Sequence, residues 1–244
     1  PFTGPFTRLV TALLPPSLAP ERFGPKYLDP IVIASPTLAL VQATRETLRT
    51  ADIVQEMLVK SIEVFDNDSV STLEEIQEMD DDVDILDREV KLFIIKLSRE
   101  SLSGEQARRE QEIMLFSDNL ENIGDVIDKN LMELAKKKIK GGLKFSKEGM
   151  EEIRALHKKV IENYQMGIAA FTSSDHELAR RLITHKQKMT ELERDLRQAH
   201  ISRLYKGHKE SIDTSAIHLD VLTNLKRINS YITNAAYPIL EREK

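Results

Sequence analysis

The sequence predicts an all-α protein: two pseudo-repeated three-helix bundles, six long antiparallel helices in all, behind a proline-rich N-terminal linker. Three observations carry that prediction. Eight of the nine prolines fall within the first 36 residues, so the rest of the chain, Pro238 excepted, lacks the residue that interrupts helices. Aromatic residues make up 5% with no Trp, against 41% hydrophobic and 31% charged, a balance that suits amphipathic helices better than a sandwich or barrel. Beyond position 36, apolar residues recur at spacings of three and four in three runs, and the three runs then recur in the same order.

Residues 1–35 read as a proline-rich, extended linker, because Pro15, Pro16, Pro20, Pro25 and Pro30 hold any helix there to a turn or two. The first helix opens at Ser35-Pro36, where proline suits the first helical position, carries Ala39, Val41, Leu48, Val54, Leu58, Ile62 and Phe65, and ends at Asp66-Asn67-Asp68. A second begins near Ser69 to Thr72, holds Val83, Leu86, Val90, Ile94 and Leu97 on one stripe, and stops around Ser103-Gly104. The third runs from about Glu105, with Phe116, Leu120, Ile123, Ile127, Leu131 and Leu134 in line. It closes in a lysine-rich turn before Gly141-Gly142 that complements the helix dipole.

The remaining chain repeats this plan, with helices at about 145–172, 175–205 and 211–240. A shift of 106 lays Val54 on Val160, Ile62 on Ile168, Phe65 on Phe171, Val83 on Met189, Leu86 on Leu192 and Val90 on Leu196. A shift of 105 lays Asn119, Leu120, Ile123 and Ile127 on Asn224, Leu225, Ile228 and Ile232. Three helices in one order at nearly one offset divide the chain into units at 36–142 and 143–244.

Composition also removes whole classes of function. With no cysteine there is neither a disulfide framework nor a thiolate metal site, as in a reducing compartment. A net charge of −5 argues against nucleic acid as a partner. No stretch reaches the ~18 to 20 consecutive apolar residues of a membrane span. The chain begins at Pro1 rather than Met with an apolar opening, which points to a fragment of a longer protein. The nucleophile elbow G-x-S-x-G, the phosphate loop and the zinc helix H-E-x-x-H are all missing. None of the six histidines follows a Glu by three residues, so the Glu-x-x-His pair of di-iron bundles is missing too. The expectation is a chain that is not an enzyme.

Carboxylates remain as the candidate chemistry: Asp80-Asp81-Asp82, Asp84 and Asp87 on the second helix, Glu121 and Asp125 on the third. Glu121 and Asp125, four apart, share a helix face whose repulsion a hard cation such as Mg²⁺ or Fe²⁺ relieves; a solvated acidic face is the plain alternative. Gly124 sits mid-helix, where glycine costs ~1 kcal/mol relative to alanine, and it suits a close helix approach. Lys136-Lys137-Lys138 with Lys140 reads as a helix terminus, with anionic lipid as the alternative. His200 beside Arg203 reads as a histidine packed between helices, with an anion site as the alternative.

The run Asp118-Asn119-Leu120-Glu121-Asn122-Ile123-Gly124-Asp125 resembles the "D-L-E-R-I-G-D" helix of the PhoU-like phosphate-uptake regulators. In that family each of two three-helix repeats carries an E-x-x-x-D element with an Asp on the preceding helix, and these can hold iron or other divalent ions. Carried over, the resemblance implies a site of Asp80 or Asp81 with Glu121 and Asp125, holding iron, zinc or magnesium. The second unit departs from the pattern: Lys226 and Ser230 stand where Glu121 and Asp125 do, and His185-Lys186-Gln187-Lys188 replaces the aspartates, which confines any metal to the first unit.

Lys26-Tyr27-Leu28-Asp29-Pro30, Ser35-Pro36, Ala39 to Glu46, His200 to Leu204 and Leu225 to Tyr231 look like the PhoU-like tail of bacterial sodium/phosphate cotransporters. That implies a regulatory domain on the cytoplasmic side of the inner membrane, tethered to transmembrane transporter segments of its own parent chain, with self-association open. A stand-alone phosphate-uptake regulator and a divalent-metal sensor are the alternatives.

Overall fold

In the computed structural model, which describes residues 23–241, all regular structure among the described residues is helical. The first unit holds α1 (Pro36–Asn67), α2 (Val70–Leu97) and a long third helix in three sections: α3 (Gly104–Asp125), a π-helical stretch (Val126–Met132) and α4 (Glu133–Lys140). The second holds α5 (Lys147–Ser173), α6 (His176–Tyr205), the short α7 (Lys209–Asp213), α8 (Ser215–Asn234) and α9 (Ala236–Glu241). The expected all-helical architecture is therefore the observed one.

Local chemistry explains the boundaries. Ser69, Ser103, Ser146 and Asp175 each accept a hydrogen bond from the backbone N–H three residues on, and Ser103 with Gln106 closes a full capping box. The corner between first and second helix is built alike in both units. Asp68 and Ser174 both end their helices in the left-handed region, at φ 54° and 53°, and the next residue of each caps the following helix. The 106-residue offset read from the apolar pattern thus holds for the backbone at this corner.

Three boundaries differ from expectation. α2 stops at Leu97, where Ser98 caps it, and a turn precedes the box at Ser103. The expected helix at 211–240 is broken at Thr214 and Ala235. The second break falls ahead of Pro238, which then occupies the first turn of α9, where its missing N–H removes no helical bond. Of the linker, residues 1–22 lie outside the described residues. Residues 23–29 are not a loose extension: they run along α1, the Lys26 and Tyr27 N–H groups donating to buried Glu46 at 2.8 and 2.6 Å and the Asp29 N–H to Gln42 at 2.9 Å.

Helices α1, α2 and α3 pack on one another, as do α5, α6 and α8, while α1 against α5 and α3 against α8 join the two sets. One apolar core runs through both. Across the join, the Tyr164 hydroxyl donates to the Ala51 carbonyl at 2.8 Å and His157 Nε2 lies 2.7 Å from the Leu58 carbonyl. Phe116 and Phe171 stack at 4.1 Å nearby. Among the described residues, no helix is long and apolar enough to cross a membrane.

Candidate functional site

Buried Val83, Leu86 and Val90 fix the rotation of α2, as Leu120, Ile123 and Ile127 fix that of α3 and its π continuation. Asp80, three residues before Val83, is therefore turned to the seam between the helices, with Asp84 one turn further along the same side of α2. Asp80, Asp84 and Asp125 converge there, one oxygen of each within 4.8 Å of the others. Asp80 is buried, Asp125 half-buried and Asp84 exposed, so the group opens to solvent on one side.

Asp80 approaches through the gap that Gly124 leaves. A Cβ added to Gly124 would stand 2.7 Å from Asp80 Oδ1 and 3.6 Å from Val83 Cγ1, which accounts for a glycine in the middle of a helix. That Oδ1 is buried and has no hydrogen-bond partner, and Asp128 Oδ1, on the π stretch, is in the same condition. Burial, with repulsion from Asp128 and Asp84, pushes the Asp80 carboxyl up to about 7, against the opposing pull of Lys129. Partial desolvation at the seam, with repulsion from Asp125, Asp81 and Asp87, raises Asp84 although the residue as a whole is exposed, against the pull of Lys129. Glu121 is raised by burial and by Asp125 and Asp87. Two lysines temper the charge. Lys91 bridges Asp87 and Asp118 at 2.6 Å each; Lys129 pairs with Asp125 and lies 4.0 Å from Asp80.

Of the residues singled out from sequence, the structure brings Asp80 and Asp125 together. It places Glu121 one turn along α3, beside Asp84 and Asp87 rather than within the convergent trio. Asp81 is exposed, about 100° further round α2 than Asp80, and the trio excludes it. Asp84 takes the third place, since i and i+4 share a helix face and i and i+1 do not. Lys129 was missed, although its spacing of four from Asp125 was the available signal.

The trio fits a hard divalent cation. Its donors are all oxygen, it carries excess negative charge, and its deepest oxygen lacks a partner. Magnesium and iron(II) suit such donors better than zinc, which favours nitrogen and sulfur.

The second unit changes the charges. At the positions of Asp87, Lys91 and Glu121 stand Glu193, Arg197 and Lys226. Buried Glu193 accepts from Arg197 at 2.7 Å and from Lys226 at 2.9 Å. Burial pushes its carboxyl up, but those two hydrogen bonds outweigh it and hold it below the usual range. Asn229 replaces Gly124 and accepts from Asn163 at 2.7 Å.

Elsewhere, Arg203 is engaged by Glu152 in two bonds of 2.5 and 2.7 Å, while His200 is buried, stacked on His218 with centroids 4.4 Å apart. Packing, not an anion, explains that pair. In the lysine-rich turn, Lys138 is buried, paired with Asp68 and over the Phe145 ring, and Lys136 pairs with Glu133.

The PhoU domain model matches this chain over residues 47–133 and again over 153–239. The chain belongs to the PhoU domain family. The two PhoU matches begin 106 residues apart, the offset of the apolar pattern. Among solved structures, PhoU from Pseudomonas aeruginosa superposes with a TM-score of 0.77 at 18% identity, covering 85% of this chain and 99% of that one. PhoU from Streptococcus pneumoniae gives 0.75 at 18%, over 86% and 98%. These likenesses carry the PhoU fold. YjbB of Escherichia coli K12, named as a candidate inorganic phosphate export protein, is 33% identical over 99% of this chain. The chain spans less than half, 45%, of that relative's length. A phosphate-specific transport system accessory protein, PhoU homolog 1 of Thermotoga maritima, is 25% identical over 77% of this chain and 80% of its own.

Proposed function

We propose that this chain is a regulatory and interaction domain of a sodium-dependent inorganic phosphate transporter. It acts at the cytoplasmic face of the bacterial inner membrane through helix-face contacts with the transmembrane segments of its parent protein, and makes or breaks no bonds itself. The observation that carries this reading is the similarity to YjbB, which runs through 99% of this chain while occupying 45% of a longer phosphate-transport relative. A stand-alone PhoU-type regulator is the alternative, supported by the T. maritima relative, most of whose length is matched. Flux of radiolabelled phosphate in cells carrying the complete gene, against the same gene lacking the region 36–244, tests the proposal. Regulation predicts altered flux at equal membrane-protein level. Unchanged flux refutes it, and a gene product found wholly in the soluble fraction favours the stand-alone form.

A second reading concerns the carboxylate trio, which we take to bind a divalent hard cation. Its support is the unpartnered buried oxygen of Asp80 beside two further carboxylates. Metal analysis and calorimetric titration of the purified chain test it, with Asp125→Asn as the control.

A further inference from the structure

A cation already stands at the carboxylate site, and it belongs to the chain. Lys129 follows Asp125 by one turn, on the π stretch, and its ammonium pairs with Asp125 while lying 4.0 Å from Asp80 Oδ2. Two of the three converging carboxylates thus share one ammonium. The charge does not balance: three carboxylates face one ammonium, and Asp80 Oδ1 keeps no donor.

The two partners differ in freedom. The Lys129 side chain is 54% exposed on a flexible four-carbon stem, so it can swing into solvent without moving the backbone. Asp80 is fixed, its side chain only 7% exposed and its Oδ1 set against the Gly124 backbone. A rigid, incompletely neutralised oxygen beside a mobile ammonium is the arrangement of an exchangeable counter-ion.

We propose that Lys129 is the tethered counter-ion of this site, and that a divalent cation binds Asp80, Asp84 and Asp125 by displacing its ammonium. The inference rests on the cation reading above and adds the residue that sets the affinity. Without metal, the ammonium holds α2 and α3 together across carboxylates that repel one another. With metal, a doubly charged ion replaces a singly charged one, Asp80 Oδ1 gains a partner, and Lys129 is released to solvent. Apparent affinity is the intrinsic affinity multiplied by the fraction of molecules whose lysine has withdrawn. For a half-exposed ion pair that competition weakens binding by about two- to sixfold. Loss of a positive charge beside the site adds to the gain when the lysine is removed.

The test is calorimetric titration of the full 244-residue chain with Mn²⁺ alone, in chelator-treated, phosphate-free buffer, with thermal unfolding in parallel. Lys129→Met keeps the apolar stem and removes the charge. It is expected to bind Mn²⁺ at least about threefold more tightly than wild type, to unfold at lower temperature in chelator, and to gain more from added Mn²⁺. Adding Asp125→Asn to it abolishes that gain. Equal Mn²⁺ affinity in wild type and Lys129→Met overturns the counter-ion role and leaves the cation reading intact. No Mn²⁺ binding by either, with unchanged circular dichroism, overturns both, and the transport reading stands apart from that result. Lys129→Arg keeps the charge and decides the matter if Lys129→Met does not fold: Mn²⁺ affinity at or below wild type supports the proposal, and higher affinity overturns it.

Discussion

Replacing Arg203 by methionine tests how the second unit is held together at the end where α5, α6 and α8 meet. The guanidinium makes two bonds to Glu152, of 2.5 and 2.7 Å, with side chains 10% and 13% exposed. Breaking such a pair from one side costs about 3–5 kcal/mol, because a carboxylate is left largely desolvated without its partner. His218 Nε2, 3.3 Å from the Glu152 Oε2 that also accepts from Arg203, compensates in part, so the low end of the range, ~3 kcal/mol, is expected. For a chain of this size each kcal/mol lowers the melting temperature by roughly 2–4 °C, which puts the fall at about 6–12 °C. Urea unfolding at pH 7.5 measures it, with an unchanged m-value showing that stability alone has moved. The double variant Glu152→Leu with Arg203→Met removes both charges and should recover at least ~1 kcal/mol of the loss. A single-variant loss below ~1 kcal/mol, or a coupling energy near zero, would refute the reasoning.

Buried His200, with His218 and Arg203 beside it, has its imidazole held down to about 4 by burial and by those two neighbours. The unfolded chain then binds more protons than the folded one between pH 6.5 and about 4, so stability falls as pH drops through that window; His200→Gln should flatten the slope of melting temperature against pH. Asp80 has the opposite sign. Its carboxyl is raised to about 7, so its contribution is lost as pH rises from about 4 through 7, and Asp80→Asn should stabilise the metal-free protein at pH 8. A lower melting temperature for Asp80→Asn at that pH would contradict the burial of an incompletely neutralised carboxylate. Gly124→Ala places a Cβ 2.7 Å from Asp80 Oδ1. The overlap, about 1–3 kcal/mol, exceeds the ~1 kcal/mol gain in helix propensity, so stability should fall by about 1 kcal/mol. A rise in melting temperature would show that Asp80 has room to yield.

Much of this was legible in the sequence because helices and their repetition are written in local terms. Ser103 with Gln106, Ser69 and Asp175 are short-range signals, and the apolar stripe that rotates α2 also decides which of its aspartates faces α3. The stripe puts Asp80, three residues before Val83, toward α3 and Asp81 away from it, but how deeply Asp80 enters turns on the gap at Gly124, which exists only when α2 and α3 are in contact. The π stretch at Val126–Met132 has no periodic signature, as it displaces a helix that continues on either side. The docking of residues 23–29 on Glu46 escaped notice because backbone N–H groups, invisible in a residue pattern, make the contact.

The join between α1 and α5 bears on how the chain can be divided. Tyr164 reaches Ala51 and His157 reaches Leu58, both with polar atoms sunk in a shared apolar interior. Severing the chain at Gly141-Gly142 would leave each half with a raw apolar flank and hydrogen-bonding groups stripped of their acceptors. Halves made separately should therefore be poorly soluble alone and should recover helical content when mixed in equal amounts, as complementary fragments rather than autonomous modules.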